Sequence, residues 1–191
     1  MLEDSLILTV KDDFLDDPDD IVKWSESVEY WNKEDHPEDI GHFPGIRSLP
    51  LYDINTCLFG YIMHKLGPIY KEFGVEYREG IFNYNFSKLK KDSPQVMHRD
   101  NPFVEDDELQ FAGVVYLNPD PPDPQESGTW VVIDEVLRKI ENKYNRLIIY
   151  GGNMTHGPGP AWGETWDDCR LTLTTQSTFK ISNMIKESED E

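Results

Sequence analysis

The residues of this sequence that could do chemistry together are two histidines and an aspartate. His98 and Asp100 stand two positions apart, and His156 lies far downstream. On an extended strand the side chains alternate between the two faces, so His98 and Asp100 would point to the same side. Two imidazoles and a carboxylate fill one side of a metal's coordination sphere, and the open side suits non-haem Fe(II) and oxygen activation. The sequence therefore predicts a metal site made of these three residues.

Arg170 is the candidate anchor for a second ligand. It begins a β-prone run, and with Thr172 it would share one face of that strand. A buried guanidinium is costly unless it meets a carboxylate, and no acidic residue lies on that strand face. Because a guanidinium matches a carboxylate in a planar two-point contact, an incoming dicarboxylate is one explanation. The alternative is an exposed Arg170 that pairs with Asp167 or Asp168.

The composition excludes several classes of protein. A net charge of −19 argues against a nucleic-acid binder, which needs a basic surface to neutralise phosphates. No apolar run is long enough to span a membrane, and Cys57 and Cys169 are too few for a disulfide framework. We therefore expect a cytosolic, cytoplasmic protein with no membrane or nucleic-acid partner. The acidity indicates either a basic protein partner or a solubilising surface.

Two helices are predicted in the first part of the chain. Asp17 is a plausible N-cap with Pro18 at the first helical position. Apolar residues at three- and four-residue steps predict a second helix over residues 55–73, with a break or kink at Gly67-Pro68.

From Gly74 onward the sequence consists of short β-prone runs separated by Gly, Pro and Asn turns. The predicted strands are residues 5–10, 81–86, 95–100, 109–117, 127–133, 147–150 and 170–179. Such a set is typical of a sandwich or barrel, here an α+β domain whose helices buttress one β face. We expect one domain over 1–191, with helical support in 1–75, a β-core in 76–182 and a frayed acidic tail in 183–191.

The motifs in residues 81–179 resemble the Fe(II)/2-oxoglutarate-dependent oxygenases, and within them the prolyl 4-hydroxylase-like branch. The matching segments are His98-Arg99-Asp100-Asn101-Pro102, Tyr116-Leu117-Asn118, the strand before His156 and Arg170-Leu171-Thr172. Only one glycine of the branch's Gly-Gly strand opening is kept, at Gly128. The resemblance implies a double-stranded β-helix (jelly-roll, cupin-like) core.

The resemblance also implies the ligand set. Fe(II) would be held by His98, Asp100 and His156, with 2-oxoglutarate and O2 as co-substrates. The distal carboxylate of 2-oxoglutarate would be bound by Arg170, aided by Tyr116 and Thr172, and Tyr84 would line the same cofactor-binding pocket.

The implied reaction is hydroxylation of a substrate C–H bond, with succinate and CO2 as co-products. The first expectation for the substrate is a prolyl or other side chain in a protein or peptide. The same chemistry on a free amino acid or small metabolite is the alternative. An alternative of another class is a cupin-like protein that holds metal without turnover. A zinc hydrolase is disfavoured because Arg170 would then lack a purpose, and the sequence does not define the oligomeric state.

The remaining histidines, His36, His42 and His64, do not fit the spacing of the metal site and are interpreted as structural or surface residues. The loop 43–48 is open to two interpretations. It is either a simple turn or a segment in which Arg47 meets the substrate.

Overall fold

The computed structural model describes residues 8–36, 43–75, 80–100 and 108–180. Several of the sequence-based expectations concern residues outside these ranges. They are the segment Asn101-Pro102, His42 and the acidic tail.

The first helix forms where its capping signals predict it. Helix α1 spans Pro18–Glu26, and the side chain of Asp17 accepts a hydrogen bond from the backbone N–H of Asp20 at 3.1 Å. The N-cap and the proline at the start of the helix are both confirmed.

A one-turn helix, α2, spans Leu51–Ile54 and leads directly into the long helix α3, Thr56–Glu72. Asn55 caps α3 by accepting a hydrogen bond from a backbone N–H of its first turn. Pro68 lies inside α3, so the expected break of the helix does not occur. No helix in the described part of the chain is long and apolar enough to cross a membrane.

Most of the regular secondary structure in the described chain is antiparallel β-structure. The strands are β1 Leu8–Lys11, β2 Tyr30–Trp31, β3 Ile46–Ser48, β4 Gly80–Leu89, β5 Glu108–Tyr116, β6 Thr129–Ile133, β7 Val136–Ile140, β8 Leu147–Gly151, β9 His156–Pro158 and β10 Arg170–Lys180. They form a seven-stranded sheet in the order β1-β8-β5-β10-β4-β3-β2 and a three-stranded sheet in the order β7-β6-β9. Two sheets with crossed-over strand order are consistent with a jelly-roll-like core.

One predicted strand is wrong. Residues 95–100 do not form a regular strand, and their backbone makes an isolated bridge between His98 and His156 and a hydrogen bond from the Asp100 N–H to the Gly152 carbonyl. Each of these two histidines donates its backbone N–H to the carbonyl of the other at 2.8 Å. The two imidazoles are therefore brought together by direct backbone pairing of the segments that carry them.

The large sheet has two different faces. One carries a buried apolar cluster that also contains Ile62 and Leu66 of α3, together with Phe86 and Leu173 of the sheet. The opposite face carries Tyr116 and a second cluster, which includes Val131 of the small sheet. Because directly opposite residues of paired strands share a face, the register of β10 with its neighbours places Thr172 beside Tyr116 on this second face.

Candidate active site

The two histidines and the aspartate converge at the edge of the small sheet. The Nε2 atom of His98 lies 3.4 Å from Oδ1 of Asp100, and the Nε2 atom of His156 lies 3.6 Å from Oδ2 of Asp100. One ligand atom from each residue lies within 4.8 Å of the others, which is the spacing needed to share one metal ion.

Backbone carbonyls orient both imidazoles. Nδ1 of His98 lies 2.9 Å from the carbonyl of Val96, and Nδ1 of His156 lies 2.9 Å from the carbonyl of Met154. Since a carbonyl can only accept, each Nδ1 carries a proton, which leaves Nε2 as the atom that can bind a metal once it carries no proton of its own. This is the arrangement found in metal-binding histidines, whose second nitrogen donates to a carbonyl or carboxylate.

The charges of the three groups suit a metal. Burial raises the pKa of Asp100, but the hydrogen bond with His98 and the nearby charges of His156 and Arg47 outweigh burial and leave this pKa below its usual value. Burial lowers the pKa of His156, which favours the neutral imidazole that a metal requires. The hydrogen bond with Asp100 raises the pKa of His98. A metal bound here would compete with the proton on His98.

One buried oxygen of this group lacks a hydrogen-bond partner. Oδ2 of Asp100 is sealed from solvent and has no hydrogen-bond partner among the described residues. A buried carboxylate oxygen without a partner is unfavourable, and a metal cation would satisfy it. Two imidazoles and a carboxylate form a donor set that fits Fe(II), so the residues present are compatible with the expected ion.

Arg170 lies at the start of β10 and is only 3% exposed. Its Nε and Nη1 atoms are buried and have no hydrogen-bond partner in the part of the chain that the structure describes. Burial lowers the pKa of this guanidinium. The alternative of an exposed Arg170 that pairs with Asp167 or Asp168 is wrong, because the side chain of Arg170 is buried.

Tyr116 and Thr172 lie with Arg170 on the same face of the large sheet. The guanidinium carbon of Arg170 is 5.7 Å from the centroid of the Tyr116 ring. The hydroxyl of Tyr116 donates a 2.8 Å hydrogen bond to Oγ1 of Thr129. The hydroxyl of Thr172 is buried and donates to the carbonyl of Ser87 at 3.4 Å. The structure thus brings Arg170, Tyr116 and Thr172 together, and their binding of 2-oxoglutarate stays a prediction.

Tyr84 is not brought to this group. It lies opposite Thr175 of β10, which places it on the face of the sheet that carries the α3 cluster. Its hydroxyl lies 3.0 Å from Oγ of Ser177 and 3.2 Å from the sulfur of Met63. The alternating pattern of β4 identified two faces, but it did not tell which of them turns towards the metal residues.

Sequence reasoning missed Tyr150. Its ring centroid lies 4.4 Å from that of His156, and the residue is buried at the end of β8. Burial raises the pKa of its hydroxyl well above the ordinary value. The available signal was its position at the end of an apolar strand, immediately before the turn that leads to His156.

Comparison with known proteins gives a fold assignment. No protein-family model matches the sequence, and no curated protein matches it significantly. Solved structures do match. A prolyl hydroxylase from Trichoplax adhaerens, in complex with a hypoxia inducible factor peptide fragment, is 14% identical, with a TM-score of 0.67 over 95% of this chain and 87% of that one. The chain has the fold of that enzyme.

Two further structures agree. HygX from Streptomyces hygroscopicus, with nickel and 2-oxoglutarate bound, is 12% identical, with a TM-score of 0.65 over 93% of this chain and 84% of that one. A prolyl-4-hydroxylase from Pseudomonas putida is 16% identical, with a TM-score of 0.56 over 91% of this chain and 92% of that one. HygX is also known with hygromycin B bound beside nickel and 2-oxoglutarate. These structural neighbours are 2-oxoglutarate-dependent oxygenases, prolyl 4-hydroxylases among them.

Proposed function

We propose that this protein is an Fe(II)- and 2-oxoglutarate-dependent dioxygenase. The observation that carries the proposal is the combination of two unsatisfied groups. One is the His98, Asp100 and His156 cluster with its buried, unpartnered carboxylate oxygen. The other is the buried, unpartnered guanidinium of Arg170. A metal satisfies the first group and the distal carboxylate of 2-oxoglutarate satisfies the second.

Each residue has a role in this proposal. Bound Fe(II) supplies the activation of O2 that couples conversion of 2-oxoglutarate to succinate and CO2 with hydroxylation of a substrate C–H bond. The two histidines and Asp100 hold the ion on one side and leave the other side open. Arg170 binds the distal carboxylate, and its planar guanidinium fixes the orientation of the co-substrate. The ring of Tyr116 covers that guanidinium and excludes water from it.

We propose a prolyl or other side chain of a protein or peptide as the substrate. The support is the likeness to two prolyl hydroxylases, one of which is in complex with a peptide fragment. A free small molecule is the second candidate, and the complex of HygX with hygromycin B favours it.

We also propose that the chain acts as a single oxygenase domain whose N-terminal helices support the β-core. The support is the shared apolar cluster, in which Ile62 and Leu66 of α3 are fully buried together with Leu173 of β10.

Formation of succinate tests the proposal. Protein supplied with Fe(II), O2 and 2-oxoglutarate should release succinate, and Asp100→Ala should abolish this release. Asp92→Ala removes an exposed carboxylate from a surface turn and should leave the release unchanged. Metal retention without succinate, with or without candidate substrates, would instead favour the non-catalytic binding protein.

The substrate class needs a second measurement. A peptide library and a collection of small metabolites are incubated with the active protein, and products that gain one oxygen are sought by mass spectrometry. A mass gain confined to peptides supports the first substrate class, and a mass gain confined to metabolites supports the second.

A further inference from the structure

A second arginine lies on the metal-facing side of the large sheet. Arg47, in β3, stands directly opposite Ser87 of β4, and Ser87 stands opposite Thr172 of β10. Thr172 in turn stands opposite Tyr116. Because directly opposite residues of paired strands share a face, Arg47 lies on the same face as the Arg170 group.

The guanidinium of Arg47 packs against an aromatic ring, and one of its nitrogens has no described hydrogen-bond partner. Its Nε atom is sealed from solvent and has no hydrogen-bond partner among the described residues. Its guanidinium carbon lies 4.7 Å from the centroid of the Phe43 ring, which covers one face of the group. Burial lowers the pKa of Arg47 to about 10, so the group still carries its charge at neutral pH. A buried, charged guanidinium with an unsatisfied donor is unfavourable for folding and is suited to bind an anion.

Asp100 is the acidic residue whose charge acts on Arg47, but its carboxylate already faces the two histidines. The charges of Asp100 and Arg47 act on each other across the site. However, the two carboxylate oxygens of Asp100 face the Nε2 atoms of His98 and His156. A carboxylate that binds a metal retains little negative charge to offer to Arg47.

The two unpartnered arginines have different surroundings. The charge of Arg170 is felt by Tyr116 and Tyr150. The charge of Arg47 is felt by Asp100 and by His98, whose side chain is 39% exposed. One dicarboxylate therefore accounts for Arg170, while the charge of Arg47 acts on the metal residues Asp100 and His98.

We propose that Arg47 binds a carboxylate of the substrate next to the metal ligands. This inference rests on the proposed function and specifies it further, since the substrate would carry a carboxylate near the C–H bond that is oxidised. The planar guanidinium, fixed against Phe43, is suited to a two-point contact with that group.

Probe binding to the loaded protein tests the inference. The protein is loaded with Zn(II), a redox-inactive ion, and saturated with 2-oxoglutarate so that Arg170 is occupied. The affinities of N-acetylproline and N-acetylprolinamide are then measured by ligand-observed NMR. We expect the carboxylate to bind about tenfold or more tightly than the amide, as charge-assisted hydrogen bonds allow.

Matched variants locate the preference for the carboxylate. Arg47→Gln should abolish it, and Arg47→Lys should retain part of it. Arg138→Gln removes an exposed arginine of β7 and should keep it. The inference is overturned if the wild type shows no preference, if Arg47→Gln keeps it, or if Arg138→Gln loses it as well.

Thermal unfolding separates a binding role from a structural one. Saturating N-acetylproline should raise the Tm of the loaded wild type but not that of Arg47→Met, and an equal rise in both would contradict the inference. Failure of the proposed function has a different signature. In that case the Zn(II) protein does not bind 2-oxoglutarate at all. The effect of Arg47 on the binding of N-acetylproline and N-acetylprolinamide can then still be measured in Arg170→Gln, where residue 170 cannot bind the carboxylate.

Discussion

At the scale of single residues, the metal site was predictable and its surroundings were only partly so. His98, Asp100 and His156 were identified from their types and spacing, because few combinations of side chains bind a metal. Tyr84 was assigned to the wrong face, since β4 has buried residues on both faces and its pattern does not say which face turns towards the site. Arg170 is buried, as its hypothesis requires, and its binding of a carboxylate stays a prediction.

Replacing Arg170 should weaken binding of the co-substrate. Arg170→Gln removes a charge-assisted contact worth about 1.5–3 kcal/mol, so the Kd for 2-oxoglutarate should rise about tenfold or more. The Kd of Arg170→Lys should lie between those of Arg170→Gln and the wild type, because lysine keeps the charge but cannot make the two-point contact. Calorimetric titration of the Zn(II) protein measures the three affinities. Equal affinities would show that Arg170 does not bind 2-oxoglutarate.

Tyr84→Phe tests whether Tyr84, on the sheet face that packs against α3, contributes to binding of 2-oxoglutarate. The variant loses the hydroxyl that contacts Ser177, so the free energy of unfolding should fall by about 1 kcal/mol. The affinity for 2-oxoglutarate should not change, because the hydroxyl lies among the apolar residues of the α3 cluster. Urea denaturation and calorimetric titration measure the two quantities, and a marked loss of 2-oxoglutarate affinity would place Tyr84 in the site.

At the scale of elements, capping signals and apolar periodicity located α1, α3 and the long strands to within a few residues. The short strands β2, β3 and β9 were not predicted, since pieces of two or three residues carry no readable period. β7 was missed because most of its residues are exposed. The pairing of His98 with His156 is a long-range event, and nothing local in residues 95–100 encodes it.

The close approach of the segments that carry the two histidines requires a glycine. A Cβ atom at Gly157 would lie 2.6 Å from the carbonyl oxygen of Val96 and 3.2 Å from the Cα of Met97. Gly157→Ala should therefore push the segment of His98 away from His156. We expect weaker metal binding and lower stability, measured by competition with a metal-sensitive dye and by thermal unfolding.

Gly60→Ala is the control for this glycine. Nothing lies within 4 Å of a Cβ atom at this position in α3. Because alanine favours the helix over glycine, the variant should gain about 0.5–1 kcal/mol in stability with unchanged metal affinity. If Gly157→Ala behaved like Gly60→Ala, the backbone pairing of the two histidines would not control the metal site.

At the scale of the whole molecule, ion pairs tie segments that are distant in sequence. Asp12, just after β1, contacts Nε of Arg146 at 2.6 Å and Nζ of Lys143 at 2.6 Å. The hydrogen bonds from Arg146 and Lys143 hold the pKa of Asp12 well below its usual range. This contact connects the first strand with the turn before β8, and no sequence pattern predicts a pair so far apart.

Asp12→Asn should show a stability difference that depends on pH. The folded pKa of Asp12 is lowered, so its contribution is complete above the unfolded pKa of about 3.9 and is lost as the pH falls through the folded value. At neutral pH the variant should lose about 1 kcal/mol, because the pair is partly exposed and screened by solvent. Urea denaturation from pH 7 to pH 3 should show the difference between the two proteins narrowing below about pH 4, and a difference that stays constant over this range would contradict this account.

The most direct test of the account is an anaerobic titration of the protein with Fe(II) and 2-oxoglutarate, followed by visible absorption. We predict a weak charge-transfer band from the chelated metal in the wild type. The band should be absent in Asp100→Ala and should need more 2-oxoglutarate in Arg170→Gln. If no band forms in the wild type, or if an unchanged band forms in Asp100→Ala, these residues do not hold the metal on which the account depends.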